Sequence, residues 1–239
     1  MAIKNKTVIV TGAGRGIGKQ IAIDLAKDGF NIVAVSRSHD AIKQTVREAK
    51  QFGVKAIGIV RDLSVLSNIS FLLNRTIDEF DKIDILINNA AILIPKWFTE
   101  ETIEDFDRTI AINLRSMFFL GQMVLNKMIE QRDGYIINIS STAAIVVSPT
   151  ISSYGISKKG VLGLTEAMYE AGKKYNVKVS TILPGVTNTE MVRDLFPDDS
   201  PEQWMLPEDI SYCVKFLLNQ SKRMIVKEII PWAVGHDVI

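Results

Sequence analysis

The sequence predicts a doubly wound α/β fold: a parallel sheet of about seven strands with helices on both faces. Two observations carry this. Short apolar runs alternate with longer patterns of helical period along all 239 residues, with short connections between them. The first run, Thr7 to Thr11, leads directly into a glycine-rich turn and then a helix.

In order, the strand candidates are 7–11, 31–36, 54–60, 83–88, 134–140, 177–183 and a weaker one at 224–230. Helical patterns lie between them at about 16–28, 39–52, 66–80, 101–130, 151–175 and 207–219. In the helix 101–130, residues Ile103, Phe106, Ile110, Leu114 and Met117 mark an apolar face. Turn signals separate the elements: Asp28-Gly29, Gly53, Asp133-Gly134 and Pro184-Gly185. Nothing reads as a linker, repeat or second domain, so residues 1–239 form one expected domain. The irregular stretch 185–206 exceeds the usual connection length, and its part from about 188 to 206 reads as a lid.

Three local features carry chemistry. Tyr154 and Lys158 are four residues apart on a helix, which stacks them on one face with Cβ atoms about 6 Å apart. A phenol is a weak acid near pKa 10, and a neighbouring ammonium favours the phenolate. Ser141 follows the apolar run Tyr135 to Ser140, which places its hydroxyl at a strand's carboxyl end, where open α/β sheets bind ligands. The turn Gly12-Ala13-Gly14-Arg15-Gly16-Ile17-Gly18 lets backbone approach a pyrophosphate at a helix N-terminus. Ile17 stands where G-x-G-x-x-G needs its last glycine, and the pattern is T-G-x-x-x-G-x-G instead.

Together with Asn88-Asn89-Ala90 after the strand Ile83 to Ile87, and with Asn113, these motifs resemble the short-chain dehydrogenase/reductase family. The resemblance runs from residue 5 to about 220 and extends to bacterial 3-oxoacyl-acyl-carrier-protein reductase-like members. It implies a Rossmann-type dinucleotide-binding domain with Asn113, Ser141, Tyr154 and Lys158 as catalytic residues. Tyr154 would give a proton to a carbonyl oxygen that Ser141 holds, while Lys158 lowers the phenol's pKa and bonds the nicotinamide ribose. Asn113 would anchor a water chain reaching Lys158, with Ser140 and Ser157 in structural roles. By the same resemblance the nucleotide site comprises Gly12, Arg15, Gly16, Ile17 and Gly18, with Asp62 and Leu63 at the adenine. Asn89 and Ala90 would border the ribose, and Pro184, Gly185, Thr187 and Thr189 would line the nicotinamide end.

An NAD site of this kind places an acid at the end of the second strand to bind the ribose diol. Here that strand ends in Val35-Ser36-Arg37, and a hydroxyl with a guanidinium suits a 2′-phosphate. Arg15 supplies a second cation, so NADP(H) is the expected cofactor.

Three positions depart from the family pattern. Ala91 and Ala144 replace glycines, and the usual glycine-rich ending is replaced by Met224 to Trp232. Net charge of +1 gives no reason to expect nucleic acid or an anionic membrane as partner. One cysteine, Cys213, excludes an intrachain disulfide, and with His39 and His236 it cannot build a metal site. No apolar run approaches 18 residues and no charged-then-apolar leader precedes the first strand, so a cytoplasmic protein is expected.

The expected activity is NADPH-dependent reduction of small-molecule carbonyls such as 3-oxoacyl thioesters or apolar ketones. An oxidising alcohol dehydrogenase and a non-catalytic NADP sensor are the alternatives. Apolar residues beyond the core stripe (Phe118, Phe119, Met123, Met168 and Tyr169) lead to an expected homodimer or homotetramer. An acyl carrier protein would need a basic patch, for which Lys127, Arg132, Lys173 and Lys174 are the candidates. The lid itself carries Glu190, Asp194, Asp198, Asp199 and Glu202 against Arg193 alone.

Overall fold

Alternate residues of each central strand are buried on opposite sides: Val8 and Val10 pack into one apolar layer, Ile9 into the other. Such strands need helices on both faces, and the chain supplies them. The computed structural model describes residues 5–195 and 201–234. Its strands are β1 (Thr7–Thr11), β2 (Asn31–Ser36), β3 (Ala56–Val60), β4 (Ile85–Asn88), β5 (Gly134–Ile139), β6 (Val177–Ile182) and β7 (Glu228–Ile229). They pair in parallel in the order β3-β2-β1-β4-β5-β6-β7.

Helices α1 (Gly16–Lys27) and α2 (His39–Lys50) cover one face; α3 (Ser67–Phe80) covers the other. Residues 101–130, expected as one helix, form α4 (Ile103–Ile110), a π-helical turn (Ala111–Arg115) and α5 (Ser116–Gln131). The wider turn puts Asn113 opposite the backbone of Ile92, whose N–H donates to Asn113 Oδ1 at 2.8 Å. Helix α6 (Ser152–Gly172) joins α3 and α5, whereas α8 (Pro207–Leu218) joins α1 and α2. Between α6 and α8 lies α7 (Glu190–Arg193), a short helix inside the stretch expected to be irregular.

Two further expectations change. Met168 is buried, with its thioether against Gly121 and Asn138, so it belongs to the α5–α6 core and not to an outer face. The last strand is shorter than 224–230 because the Val226 N–H is taken by Gln220 Oε1 at 2.7 Å. Backbone pairing nevertheless continues past β7, with Gly185 N–H donating to Pro231 O at 3.0 Å.

The sheet changes direction of winding at β1, where β2 lies on one side and β4 on the other. The connections after β1 and β4 therefore diverge and leave a crevice at the strands' carboxyl ends. Thr11 holds its two sides in register. Its buried hydroxyl accepts from Asn89 N at 2.9 Å and Ala90 N at 3.0 Å, and donates to Ile87 O at 3.3 Å. Thr11→Val keeps the shape but strands two N–H groups. It should destabilise the protein by about 1–3 kcal/mol. Urea denaturation checks this, and an unchanged midpoint would be the contrary result.

Candidate active site

A cavity of about 850 Å³ occupies the crevice. Its floor at one end is the glycine turn. Gly12 and Gly16 have positive φ, and a Cβ on Gly12 would stand 2.8 Å from Asn89 Nδ2. Gly18 does not line the cavity. It packs beneath it, where a Cβ would strike Gly12 O and Asn89 Nδ2. Helix α1 begins at Arg15 with no side-chain cap and no acid in its first turn, which leaves its N–H groups to an anion.

Ser36 and Arg37 lie beside this turn at the end of β2, and a Cβ on Gly14 would come 2.9 Å from Ser36 Oγ. Asp62 and Leu63 line the same region at the end of β3. Burial pushes the Asp62 carboxyl up, but hydrogen bonds from Ser64 and the charges of Arg37 and Arg108 outweigh it and hold the group below its ordinary range. Arg15 instead reaches across the mouth of the cleft to the carboxylate of Glu190 on α7, so both side chains of this exposed pair are engaged. Ile17, Asn89, Ala90, Pro184, Gly185, Thr187 and Thr189 also line the cavity.

At the other end stand Ser141, Tyr154 and Lys158. Ser141 lies two residues beyond the end of β5 and caps the 3-10 turn Thr142–Ala144, its Oγ accepting from Ala143 N at 3.1 Å. It also hydrogen-bonds the Tyr154 phenol. Lys158 is 1% exposed, and its Nζ donates to Ile139 O at 2.9 Å, 5.6 Å from the centre of the Tyr154 ring. Desolvation alone lowers its pKa to about 8. The expected downward shift of the phenol is reversed. Burial raises the Tyr154 pKa above its ordinary value of 10.0, the Ser141 hydrogen bond opposes this, and the Lys158 amine turns to a backbone carbonyl.

Asn113 lies behind the cavity wall, fully buried. Its amide donates to Ile92 O at 2.9 Å and to Ser157 Oγ at 3.1 Å, and Ser157 donates to Tyr154 O at 2.6 Å. Ser140 donates to Lys158 O at 2.8 Å. Both serines thus brace the turn of α6 that presents the phenol and the amine.

Several residues of the site were not read from the sequence. Thr11 was visible as the Thr of the T-G turn. The Ile139 carbonyl carries no side-chain signal, and Arg61, Gln44, Trp232 and Ala233 join the cavity wall only through the fold. Of the stretch expected to form a lid, Phe196, Asp198 and Asp199 lie outside the described residues, as does His236. Among the described residues, no cluster of acids, histidines and cysteine is placed to hold a metal, and no helix is long and apolar enough to cross a membrane.

The glycine turn, the uncapped helix start and the convergent hydroxyl, phenol and amine fit a nicotinamide dinucleotide. Residues 6–200 match the family model described as short chain dehydrogenase, and this chain belongs to that family. It is an oxidoreductase of alcohol and carbonyl groups. An uncharacterized oxidoreductase of Thermotoga maritima is 36% identical over 191 residues, covering 80% of this chain and 75% of the relative. The 3-oxoacyl-[acyl-carrier-protein] reductase of the same organism is 28% identical, covering 96% and 97%. The crystal structure of NAD+-bound xylitol dehydrogenase superposes with a TM-score of 0.87 at 25% identity, covering 96% and 98%.

The buried amine makes a test of its own. In the unfolded chain a lysine titrates near 10.4, so between about pH 8 and 10.4 the unfolded state holds more protons and stability rises with pH. Below pH 8 the buried charge costs on the order of 3 kcal/mol. Lys158→Met removes that cost along with one hydrogen bond of about 1 kcal/mol. The variant should be the more stable protein at pH 7, with an advantage that shrinks above pH 8. An advantage independent of pH, by urea denaturation, would refute the assignment.

Proposed function

We propose that this enzyme reduces apolar ketones and free 3-oxoacyl thioesters to secondary alcohols with NADPH. The observation that carries the reading is the meeting of Ser141, Tyr154 and Lys158 at one end of a cleft whose other end is a glycine turn. Bound nicotinamide supplies the hydride that reduces the carbonyl carbon. Ser141 holds the carbonyl oxygen, on which negative charge builds, and Tyr154 delivers a proton to it. Burial keeps the Tyr154 phenol in its protonated form, which suits a proton donor. Lys158 places a positive charge beside the phenol, and Asn113 positions this turn of α6 through Ser157.

Ser36 and Arg37 support NADPH over NADH, as no acid stands at the end of β2 to repel a 2′-phosphate. Because Arg15 is paired with Glu190, Arg37 carries most of the preference. Of the apolar residues expected in the lid from about 188 to 206, Met191 and Leu195 line the cavity and are suited to close over an apolar substrate, whereas Trp204 and Met205 are buried, Met205 in the core, and offer it no surface. The proposed carrier patch is weakened by its own neighbours. Lys127 pairs with Glu130, Lys173 with Glu170, and Arg132 lies over the Tyr175 ring. Free thioesters are therefore preferred as substrates over carrier-bound ones. Exposed Phe118, with the half-buried Phe119, Met123 and Tyr169 on α5 and α6, supports a homodimer or homotetramer, and we read the enzyme as cytoplasmic.

A panel of ketones assayed with each nucleotide at the nicotinamide absorbance band tests this. The expected preference for NADPH is roughly ten- to a hundredfold, reversed in Arg37→Asp. Tyr154→Phe should lose on the order of 10²–10⁴ in kcat. Equal efficiency with both nucleotides, or an active Tyr154→Phe, would contradict the reading.

A further inference from the structure

The C-terminal tail departs from the family's glycine-rich ending, and the chemistry of Ser141, Tyr154 and Lys158 makes no use of it. The structure brings it to the cleft. Leu183 N–H donates to Ile229 O at 2.8 Å and Gly185 N–H to Pro231 O at 3.0 Å, so the tail is zipped along the end of β6. A Cβ on Gly185 would stand 3.3 Å from Pro231 O and 3.6 Å from the Cα of Trp232. The two backbones are in close contact, which fixes where the next side chain begins. Trp232 lines the cavity and remains 41% exposed. A large aromatic left open on a cavity wall is an unfilled contact surface. The same cavity is walled by Leu93, Val146, Ile151, Met191 and Leu195, all apolar.

We propose that Trp232 is a specificity-determining wall of the substrate end, selecting ketones that carry a flat aromatic or alicyclic ring beside the reacting carbonyl. The indole offers a face on which such a ring stacks, and a short aliphatic ketone cannot cover it. This deepens the carbonyl-reductase reading and rests on it for turnover, though not for binding.

The test uses the full chain and its variants Trp232→Ala and Trp232→Phe, with acetophenone and butanone as probes. Trp232→Ala should raise the apparent KM for acetophenone at least tenfold, with less than a threefold change for butanone and for the nucleotide. Trp232→Phe should keep most of the parent's preference. Equal losses on both ketones, or a change confined to the nucleotide KM, would overturn the proposal and place the indole in a structural or cofactor role. A second readout is independent of catalysis. 1-Phenylethanol should quench the parent's tryptophan fluorescence, and the quench should vanish in Trp232→Phe. If no ketone turns over but this quench is seen, the reductase reading fails and the Trp232 site stands. If turnover is seen and the quench is the same in Trp232→Phe, the site fails and the reductase reading stands.

Discussion

A lysine side chain taken almost wholly out of water is the constraint on which this site depends. Lys158 is 1% exposed, and an uncompensated ammonium in such a place costs several kcal/mol. Its compensation is slight: one backbone carbonyl, Ile139 O, at 2.9 Å. That carbonyl is available because β5 stops there and the chain turns away through Ser140 and Ser141. The turn is itself tied down, as Ser140 N–H donates to Ile182 O at 2.8 Å and Ser140 Oγ holds the carbonyl of Lys158 at 2.8 Å. The strand end and the helix turn therefore hold each other, and displacing either would leave a buried polar group without its partner.

Burial acts on the two titratable groups in opposite directions. It lowers Lys158 to about 8 and raises Tyr154, so the two groups move apart in acidity although their ordinary values are close. Both shifts thus have one physical cause, the exclusion of water from the end of β5, where the phenol and the amine meet. The polar ties around them keep that exclusion in place. The amide of Asn113 spans Ile92 and Ser157, and the π-helical turn that presents it interrupts an otherwise regular helix. At the other end of the cleft, Thr11 joins the glycine turn's strand to Asn89 and Ala90.

Much of this was legible in the sequence, for identifiable reasons. Strands buried on both faces give continuous apolar runs, so the central strands are marked to within a residue or two, whereas β7 is two residues long, is not buried, and is overstated by the run 224–230. The four-residue spacing of Tyr154 and Lys158 fixes a helical face whatever the tertiary structure. Spacing does not report burial, however, and the direction of the Tyr154 shift was misjudged for that reason. What escaped depends on contacts distant in sequence. Arg15 meets Glu190, 175 positions away, and is thereby engaged across the cleft instead of facing the ribose alone. The tail reaches Gly185 only because β7 pairs with β6. Met168 looked like outer apolar surface because a thioether on a long helix gives no sign of which neighbour will cover it.

The central claim is that a charged lysine is held in a dry pocket at the end of β5, and its ionisation can be observed directly. The protein is labelled with ¹³C at lysine Cε, and each resonance is followed from pH 6 to 11. One signal should titrate with a midpoint of about 8 and be missing from the spectrum of Lys158→Met. If the signal lost in Lys158→Met titrates near 10.4 like a solvated lysine, the pocket does not desolvate the amine and the account is wrong.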